Sequence, residues 1–219
     1  MYNTHEEAPN WGKTGRDHYD QDVWFTDLWI QKLLDYVQVQ PWAKNTAIIF
    51  TGDHGEAFGE HSFYKHAFEL YEVLVRVPLF VYIPGLAPRT VARWRSAIDL
   101  VPTVYDLMGQ PIPPGLPGTS LVPELYGQDE PKRPILCDLP ADSLTVRHRA
   151  LIDESGYKLV ALGHDIHYEL YNVVDDPGET HDLFKQDPAR AEAMVERYKK
   201  LSEQIPFVAA KGGKPVKPQ

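Results

Sequence analysis

The chain has 219 residues, 43% of them hydrophobic and 24% charged, with a formal net charge of −9, a composition that belongs to a folded globular protein with a sizeable core. Its acidic residues are spread along the sequence, which argues against a nucleic-acid partner or a polybasic membrane patch. A single cysteine, Cys137, excludes an intrachain disulfide and leaves the compartment open, and no apolar run approaches transmembrane length.

Met1 to Arg16 is polar and irregular and reads as a surface loop. From His18 to Val39, apolar Val23, Ile30, Leu34 and Val37 recur at helical intervals, which predicts an amphipathic helix that Pro41 stops. Ala47-Ile48-Ile49-Phe50 is a short apolar run expected to be a buried parallel strand ending at Gly52. A loop rich in Gly, His and Glu follows, and Leu79 to Ile83 reads as a second buried strand closed by Pro84-Gly85.

Asp99 ahead of Pro102, with Val101, Val104, Leu107 and Met108, predicts a short helix that Gly109 ends. Pro111 to Pro123 is a loop by its Pro and Gly content, and a boundary near it divides the chain into residues 1–120 and 121–208. Strands are expected at Ile135–Asp138, Arg149–Asp153, Lys158–Leu162 and Tyr168–Asn172, spaced as an antiparallel sheet. Asp187-Pro188 opens a last helix with Ala191, Val195, Tyr198 and Leu201 on one face, and residues 209–219 read as a disordered tail.

The chemistry concentrates in Thr51-Gly52-Asp53-His54-Gly55-Glu56. A carboxylate and an imidazole at the carboxyl end of a strand stand where open α/β sheets build their sites. Asp53 offers a hard oxygen and His54 a borderline nitrogen, a pair suited to a divalent cation acting as a Lewis acid.

That segment, followed by Gly59-Glu60-His61, Lys65-His66, Leu70-Tyr71-Glu72 and Arg76-Val77-Pro78-Leu79, resembles in order and spacing the metal-binding segment of the sulfatase family within the alkaline phosphatase superfamily. Upstream, Tyr19-Asp20 through Asp27, Ile30, Leu33 and Leu34 resembles the helix before that strand. Downstream, Ile98-Asp99-Leu100-Val101-Pro102-Thr103, Gly118-Thr119-Ser120-Leu121, Glu169-Leu170-Tyr171-Asn172 and Asp176-Pro177-Gly178-Glu179-Thr180 continue it. The resemblance implies an α/β fold: part of an alkaline-phosphatase-like sulfatase sandwich, with a small C-terminal antiparallel sheet and helix.

It further implies hydrolysis of a sulfate ester and a metal held by Asp53 and His54. Relatives with Asp-Asn at these positions bind calcium, and the Asp-His form shifts the expectation toward manganese or zinc without excluding calcium. Either Lys65 or His66 corresponds to the residue that contacts the sulfate and the leaving oxygen. His5 resembles a substrate-side histidine, although Glu7 stands directly before Ala8-Pro9 where many relatives have histidine. His61 is expected to orient its loop, Glu56 to cap a helix or orient His54, and Arg76 to form an ion pair; His164, His167 and His181 read as surface residues.

The family's Cys-x-Pro-x-Arg or Ser-x-Pro-x-Arg motif, whose first residue becomes formylglycine, is absent. Cys137 lacks the following arginine and reads as a buried strand residue. The chain thus reads as the C-terminal portion of a longer enzyme, with formylglycine and the remaining metal carboxylates in the missing half. Without that half, a sheet edge and the face carrying Ile30, Leu34 and Val37 are expected to be open and to support a homo-oligomer. Two further readings stay open: a phosphodiesterase, phosphonate hydrolase or phosphoglycerol-type transferase of the same superfamily, and a non-catalytic association module.

Overall fold

A computed structural model describes residues 2, 5–66, 68–141 and 145–205. The first helix, α1 (Gly15–Gln38), starts before the apolar periodicity does, because Thr14 closes a capping box. The Asp17 N–H donates to Thr14 Oγ1 at 3.2 Å and the Thr14 N–H returns to Asp17 Oδ2 at 2.8 Å, which satisfies two donors that a helix start leaves free. These hydrogen bonds hold the Asp17 carboxyl below its usual range, the Thr14 side chain being the largest cause.

Strand β1 (Ile48–Thr51) leads into the Asp53 loop, which contains the two-residue strands β2 (Ala57–Phe58) and β3 (Tyr64–Lys65), paired with each other, and the short helix α2 (Glu72–Val75). The chain then turns back into β4 (Leu79–Tyr82), which pairs antiparallel with β1 in the register Ile48↔Tyr82 to Thr51↔Leu79. This corrects the expectation of a buried parallel strand. The excursion between the two strands returns to the end of β1 that it left, so its continuation runs in the opposite direction. Nor is the pair buried, for Phe50, Phe80 and Tyr82 are exposed, and no third described strand joins it.

Helix α3 (Leu100–Leu107) follows a tight turn capped by Ser96 and Asp99, and Gly109 ends it with a positive φ of 63°. After α4 (Val122–Leu125) come β5 (Ile135–Leu139), β6 (His148–Ile152), β7 (Tyr157–Leu162) and β8 (His167–Asn172), an antiparallel meander in sequence order. The four expected strands are all present. Helix α5 (Pro188–Ser202) begins where Asp187 accepts the N–H of Arg190 at 3.0 Å. The expected tail at 209–219 lies outside the described residues.

This meander is covered on both faces, so its central strands β6 and β7 are buried at almost every position. Leu151, Leu159, Ala161 and Leu170 pack on Ala191, Met194 and Tyr198 of α5. On the opposite face, Ala150, Ile152, Val160 and Tyr171 pack on Leu70 and Tyr71, from the segment just before α2. Complete burial of a leucine such as Leu151, Leu159 or Leu170 contributes about 1.5–3 kcal/mol. The Asp53 loop is therefore anchored to a sheet formed by residues 135–172, far along the chain.

Candidate functional site

Gly55 sets the shape of the loop that leaves β1. Its N–H donates to Leu74 O at 2.7 Å, and a Cβ at this position would stand 2.0 Å from Val73 O. Only glycine lets this backbone lie against α2. Asp53 and His54 are thereby held at the tip, with the Asp53 side chain 92% exposed.

The two side chains are arranged as neighbouring donors. The His54 N–H donates to Asp53 Oδ1 at 3.0 Å, and His54 Nδ1 lies 2.9 Å from Gly55 O. A carbonyl only accepts, so Nδ1 carries the proton and the Nε2 lone pair is free for a ligand. Nε2 stands 3.9 Å from Asp53 Oδ2. Bonds of about 2.0–2.4 Å from each atom would converge on one cation between them. Among the described residues no third His, Cys, Asp or Glu joins the pair.

His66 completes the cluster. Its ring stacks on that of His54 with centroids 4.3 Å apart, and its Nδ1 lies 2.9 Å from Glu56 Oε2. Glu56 therefore orients His66 directly and His54 through the ring stack, rather than capping a helix. With Nδ1 engaged, Nε2 of His66 is left for a further partner. Lys65 is exposed on β3 with a positive φ of 76°. Next to it, His61 and Ser62 also have positive φ, 52° and 60°, so three non-glycine residues in five hold a conformation that costs energy and is concentrated at functional loops.

His61 does orient its loop: its ring lies flat on Tyr71 at 3.7 Å and edge-on to Tyr171. Both tyrosine hydroxyls donate to Glu169 Oε2, at 2.8 and 2.9 Å, and burial first, with Glu169 next, pushes both phenols above their usual range. His5 is drawn to α1 instead, with Nε2 2.6 Å from Asp22 Oδ1 and its ring stacked on Phe25. Arg76 makes no ion pair among the described residues, contrary to expectation.

Two buried groups supporting this site escaped the sequence reading. Lys158, with no exposed surface, stands 2.9 Å from Glu72 Oε1 and 2.8 Å from Glu179 Oε1, and Glu179 also accepts the Glu72 N–H at 2.5 Å. This cluster ties α2, and through it Gly55, to β7. Glu69 faces His148 at 3.2 Å. Their only sequence signals were charged residues in otherwise apolar stretches, and these do not reveal a partner.

Comparison with known proteins follows the same lines. The sulfatase family model matches residues 2–110, and that of the C-terminal part of N-sulphoglucosamine sulphohydrolase matches residues 59–206. An N-acetylglucosamine-6-O-sulfatase of Bacteroides thetaiotaomicron is 30% identical over 167 residues, 71% of this chain and 29% of that protein. Arylsulfatase K of Gallus gallus is 28% identical over 197 residues, 82% of this chain and 36% of that protein. The chain thus spans about a third of the length of these curated relatives. A solved complex with the substrate D-glucosamine-2-N,6-O-disulfate superimposes with a TM-score of 0.68 at 26% identity, covering 86% of this chain and 41% of that one. The phosphonate monoester hydrolase of Agrobacterium radiobacter gives 0.73 at 24% identity, over 86% and 41%, a likeness of fold alone.

Proposed function

The chain belongs to the sulfatase family, and from that premise we propose that it supplies part of the active site of a hydrolase of sulfuric esters. The observation that carries the reading is the Asp53, His54 and His66 cluster, in which one loop presents two metal donors beside an imidazole oriented by a buried carboxylate. Sulfated amino sugars are the substrate class we favour, because the similar N-acetylglucosamine-6-O-sulfatase and the glucosamine disulfate complex both concern such compounds.

In this reading Asp53 Oδ2 and His54 Nε2 are two ligands of a divalent cation. The nitrogen donor suits manganese or zinc, and the oxygen donor accepts calcium as well. Such a cation supplies Lewis-acid polarisation of the ester oxygens. In its imidazolium form, with Nδ1–H kept on Glu56, His66 donates from Nε2 a hydrogen bond or a proton toward the leaving oxygen, while the Lys65 ammonium offers charge stabilisation from the next position. His5, bonded to Asp22, has a place in this scheme only if substrate draws it away from α1.

The residues present do not fit formylglycine. Cys137 lies in β5 against the core, burial pushes its thiol up, and no arginine follows it in the required spacing. We therefore assign the nucleophile to a segment outside these 219 residues. The test uses a chromogenic aryl sulfate. The chain alone gives no turnover, and a polypeptide joining it to the family's Cys-x-Pro-x-Arg segment gives metal-dependent turnover that Asp53→Ala abolishes. Metal-dependent turnover by the chain alone would overturn the assignment of the nucleophile, and a preference for an aryl phosphonate over the sulfate would overturn the substrate class.

A further inference from the structure

A cleft of about 500 Å³ opens between Arg76, the Ala92–Trp94 stretch, Lys132 and Arg133, and the turn after β8. Arg76, Arg93, Lys132 and Arg133 line it against one carboxylate, Glu154. Several of these charges are already answered. Arg133 forks onto buried Asp99 with two contacts of 3.0 Å, Arg93 is held by Asp129 and Glu124, and Glu154 is held by both terminal nitrogens of Arg197 at 2.6 Å. The aspartates of the adjoining turn are engaged as well, Asp175 by Asn172 Nδ2 and Asp176 by the N–H of His181. Arg76 and Lys132 remain, each exposed and without a carboxylate partner among the described residues. In a protein of net charge −9, this cleft reverses the local sign.

The floor is apolar and closely built. Trp94, half-buried, and Val174 meet over Gly156, where a Cβ would stand 2.4 Å from Val174 Cγ2 and 3.0 Å from Trp94 Cη2, at a φ of 96°. Val173 beside them is fixed in the core. An aromatic and aliphatic floor below unpaired cations suits a ring with an apolar C–H face and an anionic substituent. A guanidinium binds two oxygens of such a substituent at once, whereas an ammonium adds a mobile point charge. A bare inorganic anion would leave the floor unused, and a nucleic acid would require a longer basic tract.

We propose that this cleft binds a sulfated saccharide unit, with Arg76 and Lys132 holding the sulfate and Trp94 receiving the sugar ring. The choice of sulfate rests on the sulfuric-ester reading; the unpaired cations and the apolar floor do not. Position also favours the idea. Thr51 pairs with Leu79, and a Cβ on Gly52 would stand 3.6 Å from the Val77 side chain, so Arg76 departs from the same end of the β1–β4 pair as Asp53. A substrate longer than one sugar could engage both.

The experiment is isothermal titration of the chain at low salt with chelator present, which removes any metal contribution. The probes are a sulfated glucosamine disaccharide, its desulfated counterpart and sodium sulfate. The sulfated disaccharide is expected to bind, and Arg76→Gln and Lys132→Gln each to weaken it about fivefold. Equal binding of the desulfated sugar, or sodium sulfate competing as well as the disaccharide, would overturn the proposal. So would binding that survives Arg76→Gln with Lys132→Gln but disappears in Asp53→Ala. Aryl sulfate turnover by the joined polypeptide is read independently, so the cleft and the hydrolase reading can fail separately.

Discussion

Nδ1 of His66 lies 2.9 Å from Oε2 of Glu56, a carboxylate whose side chain is only 5% exposed while the imidazole is 44% exposed. A buried anion thus holds an accessible ring in one orientation, and that ring stacks on His54. The phenol of Tyr2 is pushed up by burial and by the same carboxylate, so Glu56 gathers the chain start, the Asp53 loop and β3 around itself.

Glu56→Ala is expected to destabilise the chain by about 1.5–3 kcal/mol, the range for losing a charge-assisted buried hydrogen bond. It should also abolish the ring-to-ring nuclear Overhauser contact between His54 and His66. Retention of that contact would show that the stack is held without Glu56.

Lys158 has two carboxylate partners and no solvent. Lys158→Met leaves Glu72 and Glu179 facing each other, and the expected cost is about 3–5 kcal/mol in urea unfolding. Adding Glu72→Gln and Glu179→Gln should restore much of the loss, because neutral amides no longer need the ammonium. If Lys158→Met unfolds at the same urea concentration as the parent, the cluster contributes nothing to the anchoring of α2.

Burial holds the Glu69 carboxyl above the usual 4.5, with Glu169 acting in the same direction and His148 opposing them. A group raised in the folded state binds its proton more tightly there than in the unfolded chain. Its stabilisation is therefore complete below the unfolded value and is lost as pH rises through the folded one. The unfolding free energy of the parent relative to Glu69→Gln should fall as pH rises from below 4.5, by at most about 1.4 kcal/mol per pH unit. A difference that grows with pH would mean that the His148 ion pair outweighs desolvation.

Association concerns a different surface. Trp29, Leu33 and Tyr36 on α1 and Phe80 and Tyr82 on β4 are all more than half exposed. The face read from the sequence, Ile30, Leu34 and Val37, is the half-buried one. Light scattering should show concentration-dependent self-association, reduced by Leu33→Glu and Phe80→Glu. A monomer at high concentration, indifferent to both changes, would refute it.

Local order was written in the sequence. The four strands after residue 134, the start of α5 at Asp187-Pro188, and the loop carrying Asp53 and His54 were legible because apolar alternation, capping and turn residues act within a few positions. Tertiary structure alone decided the direction of β4, the stack of His66 on His54, and the Lys158 cluster that spans 86 residues to Glu72. An apolar run reads the same whether its neighbour is parallel or antiparallel. Likewise, a charged residue in such a run carries no mark of the distant partner that lets it be buried. Those choices were made when the Leu70–Val75 segment packed on the sheet and brought residues far apart in sequence into one low-dielectric interior.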